Sequence, residues 1–128
     1  MKKIIFSMII GVAGVLLFAD PVFAHHGRSN YDMSYIATVK GIVTGFEWIN
    51  PHALIFFDVT DENGKIEKWT AETNSPNTLS RQGWNRNTVK TGDQITVVGH
   101  RVKGGGTYIN FSKIIFADGH ELNPAVKN

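Results

Sequence analysis

Glu47-Trp48-Ile49-Asn50-Pro51-His52 joins two runs of β-forming residues, 35–48 and 53–60. Pro51 has no backbone N–H and biases Asn50 towards an extended conformation, so a sheet ladder is expected to break there. Such a break inside a barrel re-aims side chains, often beside a functional rim. These six residues also carry an acid, an indole, an amide and an imidazole. The plainer alternative is a strand corner whose aromatic is core and whose His52 is solvated.

On the N-terminal side of this corner, alternation places Ile42, Thr44, Phe46 and Trp48 on one side of the strand. Val39, Gly41, Val43 and Gly45 fall on the other, and the two glycines point to a tight bend or a close backbone approach. On the C-terminal side, Ala53, Ile55, Phe57 and Val59 share one face of a second strand. Asp61-Glu62-Asn63-Gly64 is a hairpin turn leading into a third strand over 65–73, with Trp69 expected in the core. Ser75 can cap a helix, Pro76 suits its first position and Gly83 its end, so a short helix follows, with Leu79 and Trp84 as its buried contacts. Strands over 94–102 and 107–116 complete the pattern, joined by Lys103-Gly104-Gly105-Gly106. Three strands, a short helix and two strands predict an all-β fold, a small five-stranded OB-like barrel with one short helix between strands 3 and 4. Closure also removes exposed edges, which a chain this rich in β-formers must manage. An open sandwich is the alternative.

The chain has 128 residues, room for one domain. Lys2 and Lys3, the apolar run 4–19 and Val22-Phe23-Ala24 read as a signal peptide over 1–24, cleaved after Ala24. An uncleaved anchor is the rival, but the apolar run is shorter than the ~20 residues of a typical span. The expected organisation is then an N-terminal arm at 25–34, the barrel domain at 35–122 and a disordered tail at 123–128. Without Lys2, Lys3 and Asp20, 11 basic and 10 acidic residues remain. A nearly neutral chain with scattered basic residues has no phosphate-binding footprint, so nucleic acid is not an expected partner. There is no cysteine, which excludes disulfides, a lipid anchor on cysteine and thiolate metal sites. The expected location is periplasmic, with no stable membrane anchor after cleavage.

Several segments together resemble one family. They are Ala24-His25-His26, the 47–52 run, Ser75-Pro76-Asn77, Arg81-Gln82-Gly83-Trp84, Lys90-Thr91-Gly92-Asp93 and Phe116-Ala117-Asp118-Gly119. The family is one of small exported bacterial proteins classed as a domain of unknown function. The Trp-Ile-Asn-Pro-His run is the most specific part of the likeness. The resemblance implies an exported OB-like barrel and brings no established activity.

Function is therefore read from chemistry. Cleavage after Ala24 makes His25 the mature N-terminus, whose free α-amine and ring Nδ1 can chelate one metal ion. A second imidazole, from His26 or His52, completes a histidine brace, and nitrogen donors in that arrangement favour Cu(II). Zn(II) accepts the same ligands. The competing view is two solvated histidines on a polar arm. His100 and His120 are expected to be surface or rim residues. Glu47, Asp58 and Glu72 are strand carboxylates, any one of which could pair with His52 as acid and base. No nucleophile motif or phosphate loop is present, and no enzyme is expected. The expectation is a periplasmic metal carrier or accessory using His25, His26 and His52. Its alternative is a metal-free module whose Glu47, Trp48 and Asn50, with neighbouring aromatics, dock a small ligand or a periplasmic protein.

Overall fold

The computed structural model describes residues 28–124. The segment 1–24 with its expected cleavage point, together with His25, His26 and residues 125–128, lies outside the described residues.

β1 (Ala37–Glu47) is the strand on which the sheet closes. It pairs antiparallel with β2 (Leu54–Thr60) along its second half and with β4 (Gln94–Arg101) along its first. β2 pairs with β3 (Ile66–Glu72), and β4 with β5 (Tyr108–Phe116), both antiparallel. A parallel pairing of β3 with β5 closes the ring. The result is a closed five-stranded OB-like barrel, with one short helix, α1 (Pro76–Ser80), between β3 and β4. Ser75 caps α1 by accepting from the Thr78 amide, and Pro76 sits in the first turn, as the sequence predicts.

Phe57, Ile55, Ile95, Ile109, Ile114, Val43 and Val97 fill the interior, and Leu79 and Trp84 cover it from the helix and the loop that follows. Trp69 is buried, with its ring 6.2 Å from that of Phe57.

β1 departs from simple alternation. Val43 pairs with Phe57 but Gly45 pairs with Phe56, so Thr44 is an extra residue in the ladder. Before this bulge the inward residues are Ala37, Val39, Gly41 and Val43; after it Phe46 turns in, opposite Ile55. Ile42, placed with Phe46 by the sequence pattern, is exposed. A bulge shifts a period-2 pattern by one residue, which corrects that assignment.

The first and last described residues pack on the barrel. In the arm, Arg28–Asn30 form a 3-10 turn, and Tyr31 bridges Val102 just past β4. Asp32 N–H donates to Arg101 O, and Lys103 N–H to Asn30 O. At the other end a two-residue strand, β6 (Glu121–Leu122), pairs with β5. Pro124 is buried and its carbonyl accepts from Asn74 Nδ2.

Candidate functional site

The parallel pairing of β3 and β5 sets Glu72 opposite Asn110, with Tyr108 opposite Thr70. Tyr31 reaches the same place from the arm. The Tyr108 hydroxyl donates to Glu72 Oε2 at 2.7 Å and the Tyr31 hydroxyl donates to the same oxygen at 3.0 Å. Glu72 is buried, at 8% exposure. Burial of a carboxylate is costly unless its lone pairs are answered, and two phenols answer one oxygen.

The other oxygen faces the proline corner. The Asn50–Pro51 peptide is cis, and the residues after it return to the sheet by two backbone bonds, Ala53 N–H to Asn74 O and Thr73 N–H to Ala53 O. These bonds carry His52 to the end of β3. Its Nδ1 lies 2.8 Å from Thr73 O, and its Nε2 lies 3.6 Å from Glu72 Oε1. A carbonyl only accepts, so Nδ1 carries the proton of that bond. Nε2 is then either a bare lone pair or a second N–H.

Tyr31, Glu72 and Tyr108 also line a cleft of about 600 Å³, with Ser29, Asn30, Val102 and Lys103 as its other walls. The loop behind it is ordered by Arg101. The Arg101 guanidinium sits 4.6 Å from the centre of the Trp69 ring and donates to the carbonyls of Gly105 and Gly106. Cation–π contact and backbone bonds thus hold a Gly-rich loop that composition alone reads as loose.

Burial raises both phenols well above the ordinary tyrosine value, and the Glu72 carboxylate raises them further. A pKa raised on folding means the native state keeps its proton longer than the unfolded chain does. The associated stability is complete below the unfolded value, about 10, and is lost as pH rises beyond it. Metal-free protein should therefore lose urea resistance from about pH 10 upward, and the Tyr31→Phe/Tyr108→Phe double variant should show a flatter decline. Denaturation midpoints across that range measure the difference.

Of the residues the sequence singles out, His52 enters this cluster. Glu47 and Asn50 are exposed, and Trp48 is half-buried, packed edge-on to Phe46 with ring centres 5.8 Å apart. None of those three lines the cleft. Among the three strand carboxylates, Glu72 is the one beside His52; Asp58 instead meets Lys68 at 3.3 Å. His100 Nδ1 lies within hydrogen-bond reach of the carbonyls of Asp32 and Tyr35 and so ties the arm to β4. His120 stacks on Phe116 and pairs with Asp118. Local sequence does not single out Tyr31 or Tyr108. A tyrosine in an otherwise polar arm was the available signal for the first, and the β3–β5 pairing that places the second is non-local. Among the described residues, no group of three or more His, Cys, Asp or Glu is placed to hold a metal ion.

A family model described as "Family of unknown function (DUF6152)" matches residues 13–109. The chain belongs to the DUF6152 family. The match runs from ahead of the arm to the start of β5, and so includes Tyr31, His52, Glu72 and Tyr108. No curated protein matches this DUF6152 chain. Among solved structures, one titled "Crystal structure of tRNA fluorescent labeling enzyme" is similar at 19% identity and a TM-score of 0.44. That likeness covers 66% of the DUF6152 chain and 18% of the other.

Proposed function

We propose that this protein is an exported, non-enzymatic metal-binding protein that takes up Cu(II) through His25 with help from His26 or His52, as a carrier or accessory. The observation that supports it is the His52 ring. Its Nδ1–H is held by the Thr73 carbonyl, the arrangement that fixes tautomer and orientation in metal-binding histidines and leaves Nε2 as the donor atom. The arm is anchored beside it through Tyr31, and the chain from His25 to Tyr31 spans at most ~22 Å when extended. A processed His25 is therefore within tethering range of His52. Zn(II) is the alternative ion, since it accepts the same nitrogen donors.

The test starts with the intact mass of the exported protein, followed by Cu(II) titration of that material. A mass matching residues 25–128 and sub-micromolar, one-to-one binding are expected. Binding should weaken by at least about tenfold in His52→Ala and be lost in His25→Ala. Unchanged affinity in His25→Ala would remove the brace.

The metal-free alternative draws on the exposed side of the corner, where Ile49 is 47% exposed. It is weakened by the location of the rings that would form a platform, since Phe57 and Trp69 are core. A pull-down of a periplasmic partner that is lost in Trp48→Ala/His52→Ala, with no metal present, would favour it.

A further inference from the structure

Building on the metal-binding reading above, we propose that Glu72 is itself a metal ligand, binding through Oε1 the same ion that His52 binds through Nε2. The site is then a mixed nitrogen and oxygen centre rather than an all-nitrogen brace.

The argument begins with the two oxygens of Glu72. Oε2 accepts from both Tyr31 and Tyr108, which orients the carboxylate and turns Oε1 to His52. Those phenols bring hydrogen bonds but no positive charge. A buried carboxylate also needs a cation, and the one ion-pair partner Glu72 has among the described residues is His52. With Nδ1–H committed to Thr73 O, a neutral His52 would aim a bare Nε2 lone pair at an anionic oxygen. That facing pair is answered by a bridging water that donates to both atoms or, more strongly, by a cation between them, either a proton or a metal ion.

The spacing suits a metal ion. For Zn(II), nitrogen and carboxylate donors at ~2.0 to ~2.2 Å and at a tetrahedral angle lie about 3.4 Å apart. Adjacent donors of a tetragonal Cu(II) site lie closer, at about 2.9 Å, so that Cu(II) would draw His52 and Glu72 together. The observed separation is 3.6 Å. His52 has its second-sphere partner in Thr73 O, and Glu72 has two in Tyr31 and Tyr108. Ligands held by outer partners in this way are the usual construction of a protein metal site. Tyr31 and Tyr108 act through Glu72 and are positioning residues. The His52 side chain is 42% exposed, which leaves the ion open to a further ligand from the arm or to water.

The experiment uses the mature chain, residues 25–128, titrated with Cu(II) and with Zn(II), and the copper form read by EPR. Glu72→Gln should weaken binding of both ions by at least about 100-fold, the upper end of what loss of an outer-sphere partner costs. Its residual copper spectrum should shift in g value and copper hyperfine splitting as an oxygen donor is lost. Tyr31→Phe should cost about tenfold in affinity and keep the wild-type spectrum. Equal affinity and an identical spectrum in folded Glu72→Gln would overturn the Glu72 assignment and leave the metal-binding reading standing. No binding by the wild-type chain would overturn both. Should Glu72→Gln not fold, pulsed EPR of wild-type protein carrying ¹³C-labelled glutamate decides. A strongly coupled carboxyl carbon supports the assignment, and its absence overturns it.

Discussion

Gly99→Ala should destabilise the protein by about 3 kcal/mol, the upper end of the cost of overpacking. Gly99 lies where the β4–β5 register shifts, pairing with Phe111 while Val98 pairs with Lys113. A Cβ there would overlap the Asn110 carbonyl oxygen and lie 2.6 Å from Phe111 Cα. Both obstacles are backbone, so no rotamer change relieves them. On its other side Gly99 pairs with Ala37, itself buried, and so that flank also has little room to give. Against a total of about 5–15 kcal/mol for a domain, the loss is large. Gly45→Ala is the internal control. Its Cβ would sit at an ordinary 3.4 Å from Phe56 Cδ2, so the variant should be neutral or gain up to about 1 kcal/mol from reduced unfolded-state freedom. Urea denaturation of the two variants beside the parent chain checks the contrast, and equal stabilities would contradict the close approach at Gly99.

Trp69→Ala should cost about 3–5 kcal/mol, as truncation of a large buried aromatic does. Its ring packs on Phe57 inside the barrel, and the Arg101 guanidinium sits over it. Removal thus opens a cavity and also takes away the surface on which Arg101 is held as it bonds to Gly105 and Gly106. Faster amide exchange over residues 103–106 should accompany the lower unfolding free energy, since loop order and core packing share that ring. Trp69→Phe keeps a ring beneath Arg101 and should recover most of the loop protection at a smaller cost in stability. Hydrogen exchange read residue by residue separates the two effects.

The barrel was largely legible before the structure because its signals are local. Alternation at 53–60 names the buried face of β2, the Ser75-Pro76 pair starts α1, and the order of elements limits the topology. The bulge at Thr44 was not legible, because one inserted residue is defined only by the partner strand it fails to match. Of the candidate site, the sequence marks His52 and offers Glu72 as one of three carboxylates. It does not choose among them. Two strand carboxylates with the same local pattern differ in surroundings: Asp58 reaches Lys68, while Glu72 is buried under two phenols.

Local sequence therefore determined the strand pattern, the proline corner and the cap of the short helix. Each depends on backbone preference or period over a few neighbouring residues. Tertiary structure alone decided that Tyr31, His52, Glu72 and Tyr108 meet. Tyr31 and Glu72 are 41 positions apart and Tyr108 and Glu72 are 36 apart, and only closure of the barrel and docking of the arm bring them together. The tautomer of His52 belongs to the same class, because it is set by a carbonyl 21 residues away. Hydrogen bonds and charges act over a few ångströms, so the chemistry of this cluster exists only once the fold has brought its members within reach.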